Sequence, residues 1–253
     1  MNKPTFEAIH RSDYQPPDFL VDTIDLLFRL GEQHTRVTAR STIRKNPESQ
    51  NKKADLVLYG EKLELAKVSV DGEEIDSGRM VVTEKELHIV GVPDNFELEV
   101  ITVINPEANT SLSGLYLSSS IFCTQCEAEG FRRITYYPDR PDVLARFSTR
   151  IEADRQKYPV LLSNGNLEDE GVLDDGFHFA QWRDPFPKPS YLFALLGGEL
   201  EAEQDRFITR SGRQEDLFIY TEPRNKGTCG HAMRSQKKSM IWDEEECGSE
   251  NDL

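Results

Sequence analysis

The sequence predicts a mainly β protein, in which a large β domain is followed by the start of a second unit that contains a helix. Apolar residues alternate with polar ones over much of residues 20–105, and Gly-containing turn pairs separate the extended runs. Helical spacing is found only near the carboxyl end. With 253 residues, 37% of them hydrophobic and 30% charged, the chain has enough apolar material for one large or two smaller packed domains.

The first extended segment starts at Leu20, and its even positions through Leu30 are mostly apolar. This alternation predicts a strand with one buried face. The same pattern predicts further short strands downstream, at Val37, Ala39, Ser41 and Ile43, at Leu56 and Leu58, at Leu63 and Leu65, at Val68 and Val70, at Leu87 and Ile89, and at Leu98 and Val100. Short strands separated by turn residues are typical of sandwich-like sheets.

Turn signals support the same architecture. Four dipeptides tolerate the positive φ that tight hairpins need, and we expect hairpin turns at Asp71-Gly72, Asn164-Gly165, Asp175-Gly176 and Ser211-Gly212. Three prolines, Pro185, Pro187 and Pro189, predict an extended connection because proline breaks a helix. We therefore expect a β domain over residues 1–199.

A second unit is expected over residues 200–253. Residues 206–220 have the pattern of two paired strands, and residues 231–246 are the best helix candidate because Met233, Met240 and Ile241 recur at roughly helical spacing. Residues 243–253 contain six acids and no base, a composition typical of a solvated tail.

Charge and hydropathy exclude several classes of partner. Thirty Lys and Arg against forty-five Asp and Glu give a net charge of −15, which repels phosphate backbones and anionic lipids. The longest apolar run, from Tyr191 to Leu196, is far shorter than the roughly 20 residues of a membrane span. The first ten residues lack the apolar stretch of a secretory signal. We expect a soluble, cytoplasmic protein with no nucleic acid or membrane as partner.

The reactive residues do not form a complete active site in the sequence. Cys123 and Cys126 have the spacing of a metal-binding or redox pair. We favour unligated, structural cysteines, with two alternatives: a redox pair, or a metal site that uses Cys123, Cys126, Cys229 and His231. No histidine is followed by Glu-x-x-His, so no zinc-peptidase motif is present. We assign no catalytic and no metal-binding residue.

One long stretch resembles a known family. The run CTQCEAEGFRRITYY at 123–137, with its flanks at 114–116 and 139–147, is similar to the N-terminal domain of bacterial aminopeptidase N, a zinc metallopeptidase of the alanyl aminopeptidase type. The similarity continues through 158–159, 161–166, 181–182, 184–189 and 191–195. Weaker similarity, which includes Tyr14 and 24–26, extends the resemblance over nearly the whole chain.

The resemblance implies a fold and a place in a larger enzyme. In that family a saddle-like β-sandwich domain precedes an α+β, thermolysin-like catalytic domain with Gly-Ala-Met-Glu-Asn and His-Glu-x-x-His motifs. Neither motif is present here, so residues 200–253 would be the beginning of the catalytic domain. Zinc would belong to the full-length enzyme and not to this chain, whose partners would be peptides with a free N-terminus and the missing catalytic domain.

The family's Gln-x-Glu segment maps onto Gln125 and Glu127. By resemblance these residues bind substrate: Glu127 would hold the free α-ammonium of the peptide, and Gln125 would shape the first side-chain pocket. A carboxylate that faces an ammonium in a water-poor cleft forms a charge-assisted hydrogen bond, which an internal peptide bond cannot replace. We expect the chain alone to be inactive. The rival hypothesis is a free-standing β-sandwich binding or scaffold module that has lost the peptidase chemistry.

Overall fold

The computed structural model describes residues 10–51 and 53–251, so the expectation about a leader segment concerns residues that lie largely outside the described part. The described residues form eighteen strands. In chain order they are β1 Phe19–Arg29, β2 Thr35–Lys45, β3 Leu56–Tyr59, β4 Glu64–Val70, β5 Glu73–Glu74, β6 Met80–Val82, β7 Glu86–Ile89, β8 Asn95–Ile104, β9 Gly114–Ser118, β10 Ile121–Gln125, β11 Leu144–Asp154, β12 Val160–Ser163, β13 Asn166–Val172, β14 Phe177–Arg183, β15 Lys188–Pro189, β16 Leu195–Gly198, β17 Glu201–Ile208 and β18 Gln214–Thr221.

The described helical structure is concentrated near the carboxyl end. One α-helix, α1 (Gly230–Trp242), continues directly into a π-helical turn at Asp243–Cys247. Single 3-10 turns lie at Arg11–Asp13, Ser77–Arg79, Phe131–Arg133, Ser190–Leu192 and Pro223–Asn225. Within the described ranges, no helix is both long enough and apolar enough to cross a membrane.

The largest sheet has nine strands, in the order β13-β14-β11-β1-β2-β8-β4-β5, with β15 paired to β11. Its pairs are antiparallel except β1 with β11, where Thr23 lies opposite Arg146 in a parallel register. A four-stranded sheet runs β12-β16-β10-β9, a three-stranded sheet runs β3-β7-β6, and β17 and β18 form a separate hairpin. The mainly β class is confirmed.

The sheets of the first 198 residues share one apolar core. Its buried side chains run from Phe19 to Leu195. Near its centre is Phe131, whose fully buried ring packs edge-on against Tyr137, Phe147 and Phe193 at centroid distances of 5.1, 5.9 and 5.4 Å. Phe131 lies four residues after the predicted site residue Glu127, so the core anchors the chain just beyond the predicted site.

The predicted alternation in β1 holds only in part. Ile24, Leu26 and Phe28 are buried as expected, but Leu20 is only half-buried, while Phe19 and Val21 are buried instead. A register shift between Val21 and Thr23 explains the difference. An extra residue in one strand reverses which face the preceding side chains occupy.

Three of the four predicted hairpin turns are confirmed, joining β4 to β5, β13 to β14 and β17 to β18. The prediction at Asn164-Gly165 is wrong, because this turn leads from β12 in the four-stranded sheet to β13 in the nine-stranded sheet. Gly165 has φ +86°, and a Cβ there would lie 2.1 Å from the carbonyl oxygen of Arg183. The glycine therefore permits a close approach between chain segments and not a hairpin.

The hairpin of β17 and β18 packs against α1 over a second, small apolar cluster. It contains buried Phe207, Leu217 and Met233, with Ile219 and Met240 packed against them. The helix was predicted close to its observed position, but Ile241 is exposed. We keep the division into residues 1–199 and 200–253 as a prediction.

The acidic carboxyl segment is a solvated tail only in part: most of its described side chains are exposed, but two of its acids contact the β17–β18 hairpin. Glu244 is buried, and its carboxylate accepts the backbone N–H of Arg210 at 3.1 and 3.2 Å. Glu250 accepts hydrogen bonds from the backbone N–H and the hydroxyl of Ser211 at 2.7 and 2.6 Å. The two carboxylates satisfy donors at the tip of the β17–β18 hairpin, which sequence composition does not reveal.

Candidate functional site

The two predicted site residues lie at and just beyond the end of β10, in the middle of the four-stranded sheet. Gln125 is the last residue of the strand and is paired with Gly114 of β9. On the other side, Thr124 is fixed to β16, because its hydroxyl accepts the N–H of Leu195 at 2.8 Å and donates to the carbonyl of Leu195 at 3.3 Å. The position of Gln125 is thus set from both neighbouring strands.

Residues 125–130, here named the 125–130 loop, project from this strand end. Cys126 is buried, and its carbonyl accepts the N–H of Gly130 at 2.8 Å, which closes a tight turn. The peptide bond between Glu127 and Ala128 is cis. Gln125 is exposed, and so are residues 127–129, which lie between the buried Cys126 and the buried Gly130.

Gly130 is required by the close packing of this turn. A Cβ at this position would lie 2.3 Å from the carbonyl oxygen of Gln125 and 2.9 Å from the Cα of Cys126. Both neighbours are backbone atoms, so any larger residue would displace the loop. The loop is therefore held as a compact turn that exposes its acidic side chains.

The two acids of the loop differ in their electrostatic environment. Glu129 forms an ion pair with Arg132, with 3.2 Å between Oε2 and Nη1. Glu127 has no side-chain hydrogen bond and no ion-pair partner within residues 10–51 and 53–251. An exposed carboxylate with no internal counter-charge is available to a cation from outside. The Gln125 amide, also exposed, offers both a donor and an acceptor beside it.

A buried acid beneath the loop was missed by sequence reasoning. Residues 139–142, with the sequence DRPD, have the composition of an exposed turn, but Asp139 is only 3% exposed. Its carboxylate accepts hydrogen bonds from the backbone N–H and the Nε of Arg132, both at 3.1 Å, and from the hydroxyl of Ser190. The composition of residues 139–142 gave no signal for this burial, because the donors come from distant parts of the chain.

The cysteine pair has the environment of a structural site. Burial, and secondarily the charge of Asp139, raise the pKa of the Cys126 thiol well above its ordinary value, and partial burial raises the pKa of Cys123. Redox chemistry needs the thiolate, which these environments disfavour. The two thiols are free.

A metal centre does not fit the described residues. They include no group of three or more His, Cys, Asp or Glu side chains that could hold a metal ion. The hypothesis of a site formed by Cys123, Cys126, Cys229 and His231 is therefore wrong. The zinc that the resemblance implies likewise has no ligand set among these residues.

Comparison with known proteins identifies the family. Residues 22–192 match the model of the peptidase M1 N-terminal domain. The chain is 48% identical to aminopeptidase N of Caulobacter vibrioides over 253 residues, covering 100% of this chain and 29% of that protein. It is 49% identical to aminopeptidase N of Escherichia coli over 247 residues, covering 98% of this chain and 28% of that protein. The chain thus spans less than a third of the curated relatives that it matches.

Solved structures agree with this assignment. The crystal structure of Legionella pneumophila aminopeptidase A in complex with aspartic acid superposes with a TM-score of 0.92 at 36% identity, covering 96% of this chain and 28% of that one. An M1 zinc metallopeptidase from Deinococcus radiodurans has the same fold, with a TM-score of 0.73 at 17% identity over 89% of this chain and 53% of its own. The family model over residues 22–192 and the identity to these relatives show that the chain belongs to the peptidase M1 family and contains the N-terminal domain of that family.

Proposed function

We propose that this chain is the N-terminal part of a longer, cytoplasmic, zinc-dependent aminopeptidase, where it forms the wall that binds the free amine of a peptide substrate. The relatives named aminopeptidase N support the activity. One observation carries the role of this chain: Glu127 is exposed at the end of β10 and has no ion-pair partner among the described residues, whereas Glu129, two residues away, forms an ion pair with Arg132.

The chemistry of the loop suits recognition of a peptide's amino end. A protonated α-amine presents three N–H donors and a positive charge, and Glu127 offers a carboxylate that competes with no internal partner. Gln125 would line the adjoining side-chain pocket and contribute amide contacts. Because an internal peptide bond carries no ammonium, such a site selects substrates by their free N-terminus.

Catalysis would require groups outside this sequence. The chain has no His-Glu-x-x-His motif, and its described residues do not assemble a zinc ligand set. A carboxylate alone cannot lower the barrier of peptide hydrolysis to a physiological rate. We expect residues 1–253 alone to release no amine from an alanyl anilide. Zinc-dependent release above the blank would contradict this part of the proposal.

The binding role can be tested in a chimera in which residues 1–253 replace the matching segment of the E. coli relative. We expect Glu127→Gln to lower kcat/KM for alanyl p-nitroanilide about ten- to a hundredfold, because a charge-assisted hydrogen bond is lost. Glu129→Gln is the matched control, because the Glu129 side chain is 69% exposed and a pair with so exposed a carboxylate contributes little; we expect a change of less than about twofold. Equal effects of the two substitutions would contradict the proposal.

A further inference from the structure

A buried ion pair between Asp139 and Arg132 lies next to the 125–130 loop in the chain. The side chain of Asp139 is 1% exposed and that of Arg132 is 12% exposed. A buried carboxylate is costly unless it is paired and hydrogen-bonded. Asp139 meets this condition with three donors: the backbone N–H of Arg132, its Nε, and the hydroxyl of Ser190.

Arg132 is held from several directions. Its Nη2 donates to the backbone carbonyl of Asp139 at 3.0 Å, and its guanidinium lies over the ring of Tyr59 at 4.7 Å. Its own carbonyl accepts the N–H of Glu61 at 2.9 Å. Both the main chain and the side chain of Arg132 are thus fixed, only two residues after Gly130 closes the loop.

The chain between Arg132 and the loop is short and fixed. The N–H of Arg133 donates to the carbonyl of Gly130 at 3.0 Å, and the N–H of Gly130 donates to the carbonyl of Cys126 at 2.8 Å. Cys126 is the residue between Gln125 and Glu127. The contacts of Asp139 with Arg132 therefore hold the chain at the point where the loop closes.

We infer that Asp139 is a positioning residue for substrate binding, acting through Arg132 to hold the 125–130 loop so that Glu127 faces the substrate amine. The inference rests on the proposed function of Glu127 and adds to it a residue that touches no substrate. If the Asp139–Arg132 pair only stabilised the fold, its removal would change the amount of folded protein but not the contribution of Glu127 to substrate binding.

A double-mutant cycle in the chimera separates these two roles. We expect Asp139→Asn to raise KM for alanyl p-nitroanilide about tenfold with a smaller change in kcat, because the amide has no charge to pair with the Arg132 guanidinium and places an NH₂ group where Oδ1 accepts from Ser190. In the Glu127→Gln background the same substitution should cost less than about twofold. Asp184→Asn, which breaks a buried ion pair with Lys188 and leaves the contacts of Asp139 and Arg132 intact, is the control and should change KM by less than about twofold in either background.

Amide hydrogen exchange on the 253-residue chain gives a second readout that needs no activity. We expect Asp139→Asn to accelerate exchange at Gly130 and Arg132 about tenfold or more, while amides of β1 and β2 keep their protection. If Asp139→Asn does not fold, Arg132→Gln makes the same test, since it removes the guanidinium contacts and keeps the backbone N–H.

The outcomes distinguish the two hypotheses. An equal effect of Asp139→Asn in both backgrounds, or unchanged exchange at Gly130 and Arg132, would overturn the positioning role. No effect of Glu127→Gln alone, or an inactive chimera, would instead count against the proposed function, and the exchange result would still decide whether Asp139 holds the loop. Loss of protection throughout the chain in both variants would also overturn the inference, since it indicates a structural role only.

Discussion

The protein contains two regions of very different internal support. The first region, here named the body, consists of strands β1–β16, whose sheets pack over an apolar core that runs from Phe19 to Leu195. The second, the hairpin–helix region, consists of β17, β18 and α1, which share three buried apolar side chains. The smaller region also exposes large apolar side chains, among them Ile208 and Trp242. Burial of apolar surface provides most of the folding free energy. The body can therefore stabilise a rigid loop, whereas the hairpin–helix region has a small free energy of unfolding.

The largest effect is expected in the body. Phe131→Ala removes a fully buried ring at the meeting point of three other aromatic rings, and we expect a loss of about 3–5 kcal/mol in the free energy of unfolding. Urea denaturation, followed by circular dichroism, measures it. A loss below about 1 kcal/mol would show that the core does not depend on this packing.

A smaller and local effect is expected in the hairpin–helix region. Leu217→Ala should cost this region about 2 kcal/mol, at the low end for a buried leucine, because its thin core can relax. We expect proteolysis to cut within residues 201–251 while the urea midpoint of the body stays unchanged. The matched control is Ile208→Ala in the partner strand, 69% exposed, with an effect within about 0.5 kcal/mol. A shift in the body's own midpoint would show that the two regions unfold together.

The smallest effect concerns pH. Hydrogen bonds from Ser211 are the main cause that lowers the pKa of Glu250 below its ordinary value of 4.5. A lowered pKa in the folded state means that the contact is complete above pH 4.5 and is lost as the pH falls through the lower folded value. We expect the Ser211 amide resonance to titrate below pH 4.5 in nuclear magnetic resonance spectra. Glu250→Gln should abolish that titration, and its persistence would assign the transition to another group.

The parts of the fold that follow from local pattern were predictable. Alternation predicted β1, β2 and β8, and the Gly-containing pairs located three hairpins, because both signals arise from steric rules along the chain. The bulge after Val21 and the exit of the chain at Gly165 were not predictable, since each depends on a partner strand. Burial of Glu244 was not predictable either, because it depends on the backbone N–H of Arg210 in the hairpin.

The candidate site shows the same limit. The resemblance located Gln125 and Glu127, and the structure places both at the exposed end of one strand. The contrast between Glu127 and Glu129 could not be read from the sequence, because the ion pair with Arg132 requires the turn geometry. Asp139 gave no signal at all, since its donors lie seven and fifty-one residues away along the chain.

Discrimination between an amine and a hydroxyl in the substrate tests the central claim most directly. L-Alaninamide and L-lactamide have nearly the same shape, but only the first carries an ammonium. In the chimera we expect alaninamide to inhibit at least about tenfold more strongly than lactamide, and we expect Glu127→Gln to remove most of this difference. If Glu127→Gln leaves the ratio of the two inhibition constants unchanged, Glu127 does not bind the substrate amine.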